Sequence, residues 1–199
     1  FISTLCFLEE GKVKDALAMA REAVEKGLPF ERFLAEPHAM LSPLWKNQEF
    51  VEWKKERNPS LLLHGPMIGQ VTDSSASFWF RTDGACEMAV EISGHSGRRK
   101  VISKKENRFV AVLQIDGLLP GTYFSYQVFI NGEPYSDPSR EFGFRTFPSP
   151  TEGAKFTIAF GGCSGFVPEN EAIWEVIAGH DPRAMLMLGD NVYIDDPEN

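Results

Sequence analysis

Two short apolar runs near the carboxyl end constrain this chain more than any other feature. Phe156-Thr157-Ile158-Ala159-Phe160 breaks at Gly161-Gly162-Cys163-Ser164-Gly165. Ala184-Met185-Leu186-Met187-Leu188 ends at Gly189-Asp190-Asn191-Val192-Tyr193-Ile194-Asp195-Asp196. Continuous apolar runs of this length, bounded by glycine, predict strands buried on both faces, as in a parallel sheet. The helical-looking segment between them completes a βαβ unit. Ligands on such sheets bind outside the carboxyl ends of the strands, where Cys163 and Asp190 both lie. The chemistry is expected there.

No apolar run approaches the roughly 20 residues that span a bilayer. A formal charge of −8 and a pI near 5.1 argue against a general binder of nucleic acid or anionic membrane. An acidic chain that binds a phosphate ester needs a local cation, and this points towards a metal. The three cysteines, Cys6, Cys86 and Cys163, are odd in number and far apart, so no disulfide framework is implied. The chain opens on Phe1 and stops a few residues after a second parallel strand, and two strands do not make a stable sheet. It is expected to be a piece of a longer protein.

Three regions follow from the pattern. Residues 1–59 read as a helical leader. Val13, Ala16, Leu17, Ala20 and Val24 fall at helical spacing over 11–26, with Gly27 as the stop. Phe30, Phe33 and Leu34 predict a short helix, and Phe50, Val51 and Trp53 another, from near Asn47 to Glu56. The Ala-rich first helix is similar to the second half of a tetratricopeptide-type hairpin, so the leader is either a helical appendage or the tail of a helical-repeat domain. His38 lies in a proline-bounded turn.

Residues 60–148 change texture. Short β-rich runs recur at Met67–Thr72, Ala76–Thr82, Glu87–Ser93, Arg108–Ile115, Thr122–Ile130 and Glu141–Phe147. Asn131-Gly132 is a strong hairpin turn, because both residues tolerate positive φ. Six or seven strands over this length predict a β-sandwich. Trp79 on the second strand, with Leu118-x-Pro120-Gly121-Thr122-x-Phe124-x-Tyr126, resembles a fibronectin type III domain. Phe124 stands where that family carries its corner tyrosine, so the hydroxyl that ties the corner is missing. His64 and His95 are expected to be structural. Pro148 to Gly153 reads as a linker, and the third region runs from 154 to 199.

Gly161-x-Cys163-x-Gly165, after a strand, is spelled like a nucleophile elbow with cysteine for serine. His180 would be a poor base, at the far end of the intervening helix, and Arg183 lies too far along for a cysteine-phosphatase loop. Gly189-Asp190 reads better as a metal turn, since a carboxylate can bridge two cations about 3.5–4 Å apart. Gly-Asp-Asn-x-Tyr-Ile-Asp, preceded by Gly-Cys-Ser one βαβ unit earlier, resembles the alkaline phosphatase D (PhoD-like) branch of the metallophosphoesterases. The resemblance covers roughly residues 60 to 199. It implies a multidomain chain: helical leader, fibronectin-like sandwich, then the first βαβ unit of an α/β metallophosphoesterase domain. It further implies that Cys163 and Tyr193 bind Fe3+ and that Asp190 bridges it to a second metal, Ca2+. The reaction would be hydrolysis of small phosphomonoesters or phosphodiesters by a metal-activated oxygen species, in a secreted or cell-envelope protein. Asp195 and Asp196 are a solvated turn or supporting ligands. The superfamily's later Asn-His and His motifs do not occur, so residues 1–199 alone are expected to be inactive. The alternatives are a non-catalytic binding or scaffold protein built on the sandwich, and a hydrolase with Cys163 as nucleophile.

Overall fold

A computed structural model describes residues 1–35, 37–138, 140–151, 153–163 and 172–190. Five helices come first: α1 (Ile2–Glu9), α2 (Val13–Glu25), α3 (Arg32–Ala35), α4 (His38–Trp45) and α5 (Gln48–Arg57). They close over one apolar core containing Leu5, Leu8, Leu17, Phe33, Leu41, Leu44, Phe50 and Trp53. α2 buries Ala16, Leu17 and Ala20, as its spacing predicts. α5 begins where Asn47 accepts a hydrogen bond from the Phe50 N–H and ends on Asn58 in the left-handed conformation. α1 and α4 go beyond what the pattern predicts. Pro37 before α4 and Pro43 inside it hide the periodicity, because an internal proline costs a helix about 3 kcal/mol. Full burial of Leu41 and Leu44 offsets that cost, and His38 opens a helix rather than sitting in a turn.

The β-rich region forms two antiparallel sheets. β1 (Leu62–Gly69), β2 (Ser75–Thr82) and β5 (Val110–Asp116) pair in the order β1-β2-β5. β3 (Glu87–Ile92), β4 (Arg99–Ile102), β6 (Tyr123–Ile130) and β7 (Glu133–Tyr135) pair in the order β4-β3-β6-β7, and β8 (Gly143–Arg145) joins β6. Phe78 and Phe80 of β2, Leu113 and Ile115 of β5, Met88 and Val90 of β3, Val128 of β6 and Phe144 of β8 share one core. That is the arrangement of a sandwich. The hairpin turn is as expected: Asn131 and Gly132 have φ of 51° and 89°, and Ile130 faces Glu133.

Two strand assignments shift. β1 starts at Leu62, not Met67; Pro66 is tolerated because β1 is an edge strand with register irregularities on both sides of His64. β4 carries no sequence signal because Arg99, Lys100 and Ile102 are exposed, and an exposed edge has no alternation to read. Trp79 points away from the core, opposite Met67 and Val112, while its neighbours Phe78 and Phe80 fill the interior.

The corner before β6 is tied after all, from the other side. The fully buried Thr146 hydroxyl accepts from the Thr122 N–H at 3.0 Å and lies 2.6 Å from the Leu119 carbonyl. The helical unit joins the sandwich through the Lys54–Asp83 ion pair and a 3.4 Å hydrogen bond from Arg81 to the Ala35 carbonyl. Among the described residues no helix is long and apolar enough to cross a membrane.

Thr146→Val removes two part-buried hydrogen bonds, to the Thr122 N–H and the Leu119 carbonyl, and should cost about 0.5–1.5 kcal/mol for each in urea unfolding. Burial, with a smaller push from Tyr123, raises the Tyr126 phenol from 10.0 to about 12 against the opposing effect of Arg140. Its contribution to stability is complete below pH 10 and should be lost as pH rises through about 12. Tyr126→Phe should flatten that alkaline decline; an unchanged decline would assign it elsewhere.

Candidate metal centre

β9 (Ile158–Gly161) and β10 (Ala184–Met187) lie parallel, with α6 (Ile173–Gly179) between them in sequence. The register sets Ile158 against Ala184 and Gly161 against Met187, so both strands end at the same level. Pairing continues into the turns: the Leu188 N–H donates to the Gly161 carbonyl at 2.8 Å and the Cys163 N–H to the Gly189 carbonyl at 3.3 Å. Such close approach depends on glycine. A Cβ on Gly162 would stand 2.9 Å from the Gly189 oxygen, inside van der Waals contact.

The two turns bring together the candidate residues that are 27 positions apart. Cys163 Sγ lies 3.7 Å from Asp190 Oδ2, both side chains being solvent-exposed. Cys163 and Asp190 each have positive φ, 59° and 49°. Left-handed backbone at a non-glycine residue costs on the order of 1–3 kcal/mol and clusters at functional sites. Tyr193, Asn191, Asp195 and Asp196 lie outside the described residues. Among the described residues no third His, Cys, Asp or Glu joins the pair. His180 caps the carboxyl end of α6, and the Arg183 N–H donates to the Thr157 carbonyl just before β9. Both therefore sit towards the amino ends of the strands, away from Cys163. Two of the other histidines have partners elsewhere: His38 meets Trp45 edge-on at 4.8 Å, and His95 Nε2 lies 3.1 Å from the Asp116 carbonyl.

The donors present fit a first-row cation. Metal–sulfur and metal–oxygen bonds of about 2.3 and 2.0–2.2 Å hold two ligands of one ion at nearly the observed separation. Charge agrees. Residues 149–199 carry two Lys or Arg against nine Asp or Glu, whereas 1–59 carry nine against ten and 60–148 nine against nine. The acidity is a property of this end alone.

One expectation fails. Among the described residues the strands are not buried on both faces: Phe160 is 72 % and Leu188 67 % exposed, since β9, β10 and α6 leave part of the parallel pair uncovered. Sequence reading also missed Gly162 and Gly189 as spacing residues; the paired glycines at two strand ends were the available signal.

Residues 59–148 match the family model of a domain of unknown function (DUF7800). No curated protein matches the chain in sequence. Among solved structures, the one described as the structure of PhoD superposes with a TM-score of 0.53 at 17 % identity, over 63 % of this chain and 27 % of that one. This is a PhoD-like fold. The chain thus spans about a quarter of that protein's length. A redesigned β-sandwich protein matches with a TM-score of 0.30 at 16 % identity, over 43 % of this chain and 93 % of its own. The sensor domain of the anti-sigma factor RsgI4 from Pseudobacteroides cellulosolvens matches with a TM-score of 0.29 at 16 % identity, over 45 % of this chain and 92 % of its own.

Gly162→Ala should separate the two turns at a cost of about 1–3 kcal/mol. The Cys163 and Leu188 amides should then exchange with deuterium faster than in the parent. Unaltered exchange would show that the turns do not depend on this glycine.

Proposed function

We propose that the chain is part of a metal-dependent phosphoric ester hydrolase of the PhoD-like kind. The observation that carries this reading is the 3.7 Å approach of Cys163 Sγ to Asp190 Oδ2 at the carboxyl ends of two parallel strands. The fold likeness to PhoD supports it, and takes in more of the chain than residues 59–148. In this reading Cys163, Tyr193 and Asp190 would be the residues that hold an Fe3+ ion and a second metal, Ca2+. Two anionic donors suit a trivalent ion, and oxygen donors suit calcium. When bound, the metal pair supplies positive charge for the phosphate oxygens and for activation of the attacking oxygen. The chain's own contribution is positional: the parallel register fixes the height of both turns, and Gly162 and Gly189 let them close. The sandwich is assigned the fibronectin-like role of a spacer before the catalytic domain, with the strand orders β1-β2-β5 and β4-β3-β6-β7 in support.

A second reading has its own observation. The left-handed φ of Cys163 also suits a nucleophile elbow, which would make the thiol the attacking group. Asp190, the group beside it, is an acceptor but not the histidine base such a thiol uses.

Cys163→Ser in the natural protein separates the two. If Cys163 is a ligand, bound iron measured by elemental analysis should fall by about tenfold or more, together with phosphodiesterase activity, since a thiolate donor is replaced by a weaker hydroxyl. Activity lost with both metals retained would sink ligation and establish the nucleophile. Natural protein that binds no metal and cleaves no ester would leave a binding module.

A further inference from the structure

α2 and α5 leave between them a groove of about 310 Å3, lined by Arg21, Glu25, Trp53, Glu56 and Arg57. Trp53 is its buried member, 5 % exposed. The Arg21 guanidinium stands 4.7 Å from the indole centroid and that of Arg57 5.8 Å from it. Among the described residues neither guanidinium forms an ion pair or hydrogen bond, although Glu25 and Glu56 line the same groove. Arg21 and Glu25 are four apart on one helix, the spacing at which opposite charges commonly pair. The indole instead holds both planar cations, which removes part of the ordering cost of binding an anion.

We propose that this groove binds a small zwitterion, with an oxyanion and an ammonium group on one short chain. Two guanidinium forks present donors in the geometry that carboxylates and phosphates accept. A simple anion would meet Glu25 and Glu56 as well, and like charge repels it. A ligand carrying both signs satisfies all four charged groups, so the lining selects by complementarity. The site stands apart from the Cys163–Asp190 turns in sequence and does not depend on their metal.

The test is a titration of the chain followed by the Trp53 indole N–H signal in 1H–15N spectra. O-phosphoethanolamine and γ-aminobutyrate are the probes, with inorganic phosphate and ethylammonium as their halves. Saturable movement with a zwitterion, tighter than with either half, is expected, and the better probe tells phosphate from carboxylate. Arg21→Gln and Arg57→Gln should each weaken binding by about tenfold, the loss of roughly one charge-assisted hydrogen bond. Glu25→Gln with Glu56→Gln should erase the preference over inorganic phosphate, which serves also if an arginine variant misfolds. A stationary Trp53 signal, arginine variants that titrate like the parent, or phosphate alone binding as tightly would each overturn the proposal.

Discussion

β2 alternates Ala76, Phe78 and Phe80 inward against Ser75, Ser77, Trp79 and Arg81 outward, and the rest of the molecule hangs on that alternation. A strand has a period of two, so a slip of one residue would carry every apolar side chain to the opposite face. The aromatic interior penalises such a slip heavily: Phe78 packs edge-on to Tyr126 at 5.0 Å and to Phe144 at 5.8 Å. Fixing β2 fixes β1 and β5 on either side, and the opposite sheet follows through the shared core. The helical unit then docks on Arg81 and Asp83, at the end of the same strand. At the far end of the sandwich the Phe147 N–H donates to the Thr72 carbonyl, in the loop leading into β2. Phe147 also meets Phe156 edge-on at 5.8 Å across the linker. Both flanking units are therefore referred to one strand.

What was legible in the sequence was whatever burial writes into it. The period of α2 and the alternation of β2 and β6 follow from side chains that must leave water, and the Asn131-Gly132 turn from residues that tolerate positive φ. β4 left no such mark, because its side chains stay in solvent. α4 was obscured by Pro43, whose local penalty is outweighed by contacts with α1 and α2 that no local pattern records. The facing of Trp79 follows from the alternation of β2, since the phenylalanines on either side of it claim the interior.

The candidate centre was legible in part, and for a different reason. Cys163 and Asp190 were found because each follows a strand at a glycine, and parallel pairing makes equal ends adjacent. Their separation could not be read, since it depends on register and on how closely Gly162 approaches Gly189. The Arg21–Trp53–Arg57 groove was invisible altogether. It depends on how two helices cross, and the sequence shows only ordinary charged residues on amphipathic faces.

Left-handed non-glycine residues occur in the sandwich as well, at Gln70, Arg108, Phe109 and Asn131; at the strand ends two more, Cys163 and Asp190, sit within one small exposed region. Burial cannot be what compensates them, because both are exposed. Two hydrogen bonds between the turns fix the backbone there, and each is worth only about 0.5–1.5 kcal/mol net, comparable to the strain they oppose. A geometry held at so small a margin gains from anything that binds both side chains at once. A cation shared by thiolate and carboxylate would do so, with its binding energy added directly to the stability of the native arrangement. The thiol and the carboxylate are thus the side chains through which a ligand would act on these two turns.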